Sequence, residues 1–241
     1  MKFEDLKKLH QKKYRESSGF FLLEGEHLVM ELQKAALNNP LLKSCELYVT
    51  YEHSPWSSSF ATHVINSRHM MQITETRNPQ GIVALVPMLP PTSSKLGERA
   101  ICLHEIQDPG NLGTILRTLA WFGNFRCLLT PNSVDPHNSK AIRASMGAIF
   151  HVPIETEVPL ESLRERFTRI AWLHTTGQSL QCENFKNFNC YLFGNEARGV
   201  PSDKLNELCA VPFTIPGTES VESLNLASAV NMCAYEIARM T

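Results

Sequence analysis

The chain has 241 residues, 43% of them hydrophobic, with 23 Lys and Arg against 24 Asp and Glu and a formal net charge of -1. That length allows one large or two modest domains with ample core, and the balanced charge gives no global basic field to argue for nucleic acid. Seven cysteines stand singly without a C-x-x-C pair, which indicates neither a disulfide framework nor a zinc site.

The N-terminus, MKFEDLKKLH, is too charged for a signal peptide, and no apolar run approaches the roughly 20 residues that span a bilayer. A cytoplasmic protein without a membrane segment is expected. Between Lys2 and Arg15, Phe3, Leu6 and Leu9 recur at helical spacing among Lys2, Lys7, Lys8, Lys12, Lys13 and Arg15, predicting one basic helix over 3–14 that could meet phosphates or simply be solvated. Strands are expected at 20–23, 45–50, 63–65 and 81–86, with helices over 27–38 and 67–72, so this half reads as a small α/β unit. The stretch PMLPPTSSKLG at 87–97 has three prolines, two serines and little that could pack. It reads as a linker, set at 89–97 between domains 1–88 and 98–241.

The second half opens on ICLHEIQDPGNLGTILRTLAWFG at 101–123. A buried strand breaks at Asp108-Pro109-Gly110-Asn111, four turn-favouring residues, and a helix follows. Leu112, Ile115, Leu119 and Phe122 make its apolar stripe, while Thr114, Arg117, Thr118 and Trp121 take the other side. A strand feeding a turn and a helix N-terminus commonly presents ligand groups at the carboxyl edge of an α/β sheet; taken alone, Arg117 reads equally as a solvated surface residue. Strands at 125–130, 150–154, 170–174, 190–193 and 211–215 then alternate with helices over 138–145, 160–167, 202–208 and 224–239. Such alternation predicts a largely parallel sheet with helices on both faces.

Two more strand ends carry polar loops. Strand 190–193 enters Gly194-Asn195-Glu196-Ala197-Arg198-Gly199, where two glycines flank a carboxylate and a guanidinium; the loop alone could be a salt-bridged turn, with Ser202 capping the next helix. Strand 211–215 enters Pro216-Gly217-Thr218-Glu219-Ser220-Val221-Glu222-Ser223-Leu224-Asn225, where Ser223 is placed to cap the final helix and Asn225 falls in its first turn.

The blocks QDPGNLGTILRTLAWFG (107–123), LFGNEARGVP (192–201) and IPGTESVESLN (215–225) resemble, in order and separation, the three motifs of the SpoU (TrmH-like) RNA 2′-O-ribose methyltransferases of the SPOUT superfamily. KAIRASMGA at 140–148 resembles the family's intervening segment. KKYRESSGFFLLEGEHLV and TRNPQGIVALV resemble the substrate-binding domain that precedes the catalytic domain in many members, so the likeness covers nearly the whole chain. It implies an α/β fold whose C-terminal parallel sheet carries a deep trefoil knot, normally dimeric, with S-adenosylmethionine held in the knot's loops.

By position the resemblance assigns cofactor contact to Gly194, Ile215 and Leu224, with Thr175 in an adjoining 175–177 loop, and active-site roles to Asn111, Arg117, Glu196, Ser223 and Asn225. The implied reaction moves a sulfonium methyl to a ribose 2′-hydroxyl and requires no metal. Arg117 is the family's proposed proton acceptor. A guanidinium with a pKa above about 12 is a poor base, so orienting the target phosphate and stabilising charge on the hydroxyl is the preferred role, with Asn111 and Ser223 holding geometry, Glu196 orienting donors and Asn225 fixing the last loop. The third block departs from the usual I-P-M-x-G: Gly217 stands third and Glu219 takes the glycine's place, adding a carboxylate where the cofactor is expected.

A separate front domain with basic residues resembles the ribosomal-RNA enzymes more than the transfer-RNA enzymes. The other readings are a transfer-RNA enzyme, a catalytically inactive RNA-binding protein of the same fold, which the presence of Arg117, Asn111 and Glu196 disfavours, and a nucleotide-dependent oxidoreductase, which the missing G-x-G-x-x-G disfavours.

Overall fold

A computed structural model describes residues 1–218 and 220–239. In chain order they form α1 (Phe3–Leu6), α2 (Lys12–Ser18), β1 (Phe20–Glu24), α3 (Glu26–Asn38), β2 (Glu46–Val49), β3 (Ala61–Val64), α4 (Ser67–Ile73) and β4 (Ile82–Pro87). There follow β5 (Arg99–Leu103), α5 (Pro109–Phe122), β6 (Phe125–Leu129), α6 (Ser139–Ser145), β7 (Ile154–Glu155) and α7 (Ser162–Arg166). The chain ends with β8 (Ile170–Ser179), β9 (Cys190–Phe193), α8 (Ser202–Leu208), β10 (Val211–Thr214) and α9 (Leu226–Arg239). No helix among the described residues is long and apolar enough to cross a membrane.

Two compact units result. The first comprises Met1–Pro90 together with Asp135–His151, the second Pro91–Val134 and Val152–Thr241. The break at Pro90 and Pro91 falls inside the proline-rich stretch, whereas the linear division at 98–241 did not separate 135–151 from its neighbours.

In the first unit the strand order is β1-β4-β2-β3, antiparallel except for the β2–β3 pair. β4 reads IVALVP and is buried on both faces, as a continuous β-branched and apolar run requires. Its Val83 and Leu85 pack with Leu6, Leu9, Leu22, Tyr48, Met70 and Ile73.

The single basic helix expected over 3–14 is broken. Residues 7–10 tighten into a 3₁₀ turn and Gln11 is extended, at φ -101° and ψ 131°, before α2 begins. Arg15 also leaves the expected basic face. It is buried, donating from Nη1 to the Leu9 carbonyl at 2.7 Å and from Nε and Nη2 to one carboxylate oxygen of Asp135 at 3.0 and 2.5 Å. Lys7, Lys8 and Lys12 pair with Glu4, Asp5 and Glu16.

Asp135 also accepts from the His137 amide at 2.8 Å, and the His137 ring packs on Phe21 with centroids 4.8 Å apart. Ser139 Oγ donates to Glu75. These contacts are why 135–151 folds with the first unit.

The second unit carries six strands in the order β10-β8-β9-β5-β6-β7, every pair parallel. β5, β6 and β9 are nearly fully buried. β6 tolerates a buried Arg126 because Glu98 and Glu155 meet its guanidinium at 2.6 and 2.5 Å.

Several expected boundaries differ. The strand expected over 150–154 is a 3₁₀ turn at Ala148–Phe150 followed by the two-residue β7. α8 starts at Ser202 itself with Pro201 in the capping position and no side-chain cap, so Ser202 does not cap it. Ser223 does not cap the last helix: α9 starts at Leu226, and Asn225 Oδ1 accepts from the Ser228 amide at 3.3 Å while its carbonyl receives Ala229 N at 3.0 Å.

Burial alone would push the Asp135 carboxyl up, but the His137 ring nitrogen 3.5 Å away and hydrogen bonds from Arg15 and from the His137 amide outweigh it and hold the group well below the usual carboxylate range. A depressed folded-state pKa contributes stability that is complete above about pH 4 and is lost as pH falls further. Asp135→Ala, which strands Arg15, is expected to cost about 3–5 kcal/mol in denaturant unfolding at neutral pH, and the Arg15→Met/Asp135→Leu double variant less. Equal losses for the two would refute this account of the pair.

Candidate functional site

Because the six strands are parallel, their carboxyl ends lie along one edge, and the polar loops leave from there. The ladder continues past the strand ends: His104 N donates to Phe193 O at 2.9 Å and Thr130 N to Leu103 O at 3.2 Å. Burial lowers the His104 pKa, so the imidazole at this edge favours its neutral form.

α5 starts earlier than the turn residues suggested. Asp108 is its N-cap, accepting from Asn111 N at 2.7 Å, and Pro109 takes the first helical position, where a missing N–H is no loss. Pro109, Gly110 and Asn111 therefore form the helix's first turn, and Asn111 projects from it. Its Nδ2 donates to Glu196 Oε1 at 3.1 Å, and its Oδ1 accepts from Asn225 Nδ2 at 3.1 Å.

The direction of this chain is dictated at both ends. A carboxylate only accepts, and Asn225 Oδ1 is already committed to the helix amide of Ser228, so both amide groups can point only one way. Three loops far apart in sequence thus converge through Asn111.

The loop 194–199 is a tight turn. Asn195 and Gly199 exchange backbone hydrogen bonds at 3.1 and 2.8 Å, and the Asn195 side-chain oxygen accepts from Ala197 N and Arg198 N at 3.0 and 3.1 Å. A Cβ on Gly194 would lie 2.6 Å from the Gly199 carbonyl carbon, so only glycine lets the two strands of the turn approach. Within the loop the carboxylate and guanidinium do not pair with each other. Arg198 Nη2 donates to Glu105 Oε2 at 2.6 Å instead.

Of the other expected site residues, Arg117 is exposed on α5 and enters no hydrogen bond or ion pair among the described residues. Ser223 is likewise exposed, without a hydrogen bond among them. Neither is drawn into the Asn111 chain. Ile215 is half-buried and Leu224 is 46% exposed, so both offer apolar surface beside the edge. Thr175 is exposed and lies within β8, not in a loop after it.

The register against β10 nevertheless jumps from Pro212↔Trp172 to Phe213↔Gln178, which leaves 173–177 out of the ladder with that strand, although the Thr175 carbonyl accepts from Thr214 Oγ1 at 3.0 Å. Gly177, at φ 151°, sits there with the Pro212 carbonyl 2.7 Å from where a Cβ would be. Glu219 lies outside the described residues.

Sequence reasoning passed over Glu105 and Asn195. Glu105 has a left-handed backbone, φ 49°, which nothing about a glutamate announces. Asn195 gave one available signal: an Asn following Gly at a strand end is a common turn-former.

The SpoU rRNA Methylase family matches residues 98–235 and the MRM3-like substrate binding domain matches residues 2–84. An uncharacterized tRNA/rRNA methyltransferase of Synechocystis sp. is 34% identical, over 98% of this chain and 90% of that protein. The Bacillus subtilis 23S rRNA (guanosine(2553)-2′-O)-methyltransferase is 29% identical, over 98% of this chain and 95% of its own length. The AdoMet-bound rRNA methyltransferase of Sinorhizobium meliloti superposes with a TM-score of 0.81 at 26% identity, covering 98% of this chain and 94% of that one. With both halves matched and the motif loops converging on Asn111, the chain belongs to the SpoU rRNA methylase family.

Proposed function

We propose that the protein is an S-adenosylmethionine-dependent methyltransferase acting on a ribose 2′-hydroxyl of ribosomal RNA in the cytoplasm. The observation that carries this reading is the hydrogen-bonded chain Glu196–Asn111–Asn225, which joins all three motif loops at the carboxyl edge. The residues offered there fit the cofactor: Ile215 and Leu224 leave apolar surface for an adenine, Gly194 keeps backbone atoms close, and Gly217 has open space where a side chain would stand. Thr175, on the stretch of β8 outside the β10 ladder, adjoins them in this assignment. When bound, the cofactor supplies an electrophilic methyl on a sulfonium centre.

The protein's own part is placement. Arg117, free of internal partners among the described residues, can direct its planar fork of donors at a phosphate beside the target ribose and stabilise negative charge growing on the 2′-oxygen. Asn111 is held in place at both ends of its amide, to Glu196 and to Asn225. It fixes Glu196, which orients neighbouring donors, while Asn225 joins the last loop to the start of α9 and Ser223 stands two residues before it. The first unit, matched to a substrate-binding domain, would engage structured RNA, recognised largely by shape and exposed loops.

We further infer a knotted chain and a homodimer. The knot is supported by the strand order, in which β8 lies between β9 and β10, and by the close pass of Gly177 against Pro212. The dimer is supported by an apolar face on two packed helices: Trp121 of α5 is 85% exposed, and Tyr235 and Met232 of α9 are 55% and 45% exposed. The helices are joined by the Thr118 to Asn231 hydrogen bond at 2.6 Å and by the Phe122–Tyr235 ring contact.

Incubation with methyl-labelled S-adenosylmethionine and deproteinised ribosomal RNA, followed by mapping of 2′-O-methyl nucleotides, is expected to find one major ribosomal site. Labelling of transfer RNA alone would overturn the substrate assignment, and calorimetric binding of NAD in place of S-adenosylmethionine would overturn the reaction. Arg117→Lys is expected to lower kcat roughly 10²-fold while leaving cofactor affinity unchanged, because a point charge cannot reproduce the fork; near-full activity would refute that role. Trp121→Glu is expected to halve the mass seen by light scattering, and an unchanged mass would exclude this face as the interface.

A further inference from the structure

We propose that Asn195 is a positioning residue for methyl transfer: anchored on the carbonyl of Glu105, it sets the turn from which Glu196 meets Asn111. The inference rests on Glu196, Asn111 and Asn225 forming the active site, and goes one residue behind it.

Asn195 is only 7% exposed, and its side chain is engaged at both the oxygen and the nitrogen. Its Oδ1 gathers two successive amides, Ala197 N and Arg198 N, while Nδ2 donates to Glu105 O at 2.8 Å. The first pair shapes the turn, and the last bond fastens the turn to the loop that begins the first motif. Glu196 lies between the fastened residue and the two amides it gathers, so its Cα has little freedom. An exposed carboxylate on an otherwise loose loop would sample many positions; here it is held where it accepts from Asn111.

The anchor is itself over-determined. Glu105 adopts φ 49° although it is not glycine. Its amide donates to Thr130 Oγ1 at 2.9 Å, its carbonyl also accepts from Gln107 Nε2 at 2.9 Å, and its carboxylate accepts from Arg198 Nη2 at 2.6 Å and Asn132 Nδ2 at 3.3 Å. Backbone in a sparsely populated region persists when the surroundings dictate it, and such places cluster at functional sites. The left-handed turn at Glu105 leaves its carbonyl bonded to the 194–199 loop, and Asn195 is the side chain that takes advantage of it.

Asn195→Asp isolates this bond. The variant keeps the oxygen that accepts from Ala197 and Arg198 and is nearly the same size, but it sets a carboxylate oxygen against the Glu105 carbonyl where an N–H had donated. Expected at neutral pH is a kcat roughly 10- to 100-fold lower with the KM for RNA unchanged, as a small displacement of a placed group demands. Relative to the unaltered protein, activity should recover as pH falls and the new carboxyl gains a proton to donate. A buried polar group serving stability alone would instead lower the melting temperature with no pH-dependent recovery of kcat, and that result overturns the proposal.

Should Asn195→Asp fail to fold, Asn195→Ser, which can accept from the turn but cannot reach Glu105, is expected to show the same fall in kcat; unchanged kcat overturns the proposal. Glu196→Ala, which removes the acceptor at an exposed position, separates the two levels. If it retains full activity, the active-site assignment fails. If it is impaired while the Asn195 variant turns over normally at every pH, only the positioning role fails.

Discussion

The parallel run of six strands is the constraint from which the site follows. In an antiparallel sheet, consecutive strand ends alternate between edges, and loops carrying Asn111, Glu196 and Asn225 would not all leave from the same one. With every pair parallel, the carboxyl ends of β5, β9 and β10 fall together. Residues 85 and 114 positions apart then come within hydrogen-bonding distance. Parallel strands need buried faces, which is why β5, β6 and β9 are nearly continuous apolar runs and why their chemistry is confined to the ends.

That division explains what could be read from the chain. Strand 190–193 and helix 202–208 agree with the sequence reading, since each is an apolar or amphipathic run bounded by turn residues. The helix boundaries at the functional loops differ from the sequence reading for two reasons, one local and one tertiary. Pro109, Gly110 and Asn111 favour turns, yet a capping Asp108 in front of a first-position proline starts a helix there, and Asn111 joins it. At the other end, Ser223 and Asn225 are both competent caps, and local sequence does not discriminate between them; the choice is made by Asn225 reaching Asn111, a tertiary contact.

Long-range ion pairing was the least legible feature. Arg15 sits among lysines and reads as one more surface cation. Its burial depends on Asp135, 120 residues later, in a segment that belongs by sequence resemblance with the second half. Arg198 likewise reads as the partner of Glu196 two residues away and pairs instead with Glu105, 93 residues upstream. Periodicity carries no information about such partners. Burying a charge is tolerated only where a counter-charge meets it, and for Arg15 the requirement drew an excursion of the chain into the first unit.

The same accounting assigns the roles around the ribose. Each polar atom of the Asn111 amide is held by a neighbour, one by a carboxylate and one by Asn225, whose own oxygen caps α9. A group so committed supplies position and no proton. Among the described residues Arg117 is the expected site cation without an internal partner, and an always-protonated guanidinium can only donate. On our reading the protein therefore speeds methyl transfer by where it holds the ribose oxygen and how it steadies the charge there. Proximity and electrostatic stabilisation suffice for that when donors and reactants are fixed before reaction, and the one-way hydrogen-bonded chain from α9 to Glu196 fixes the loops among which they would be held.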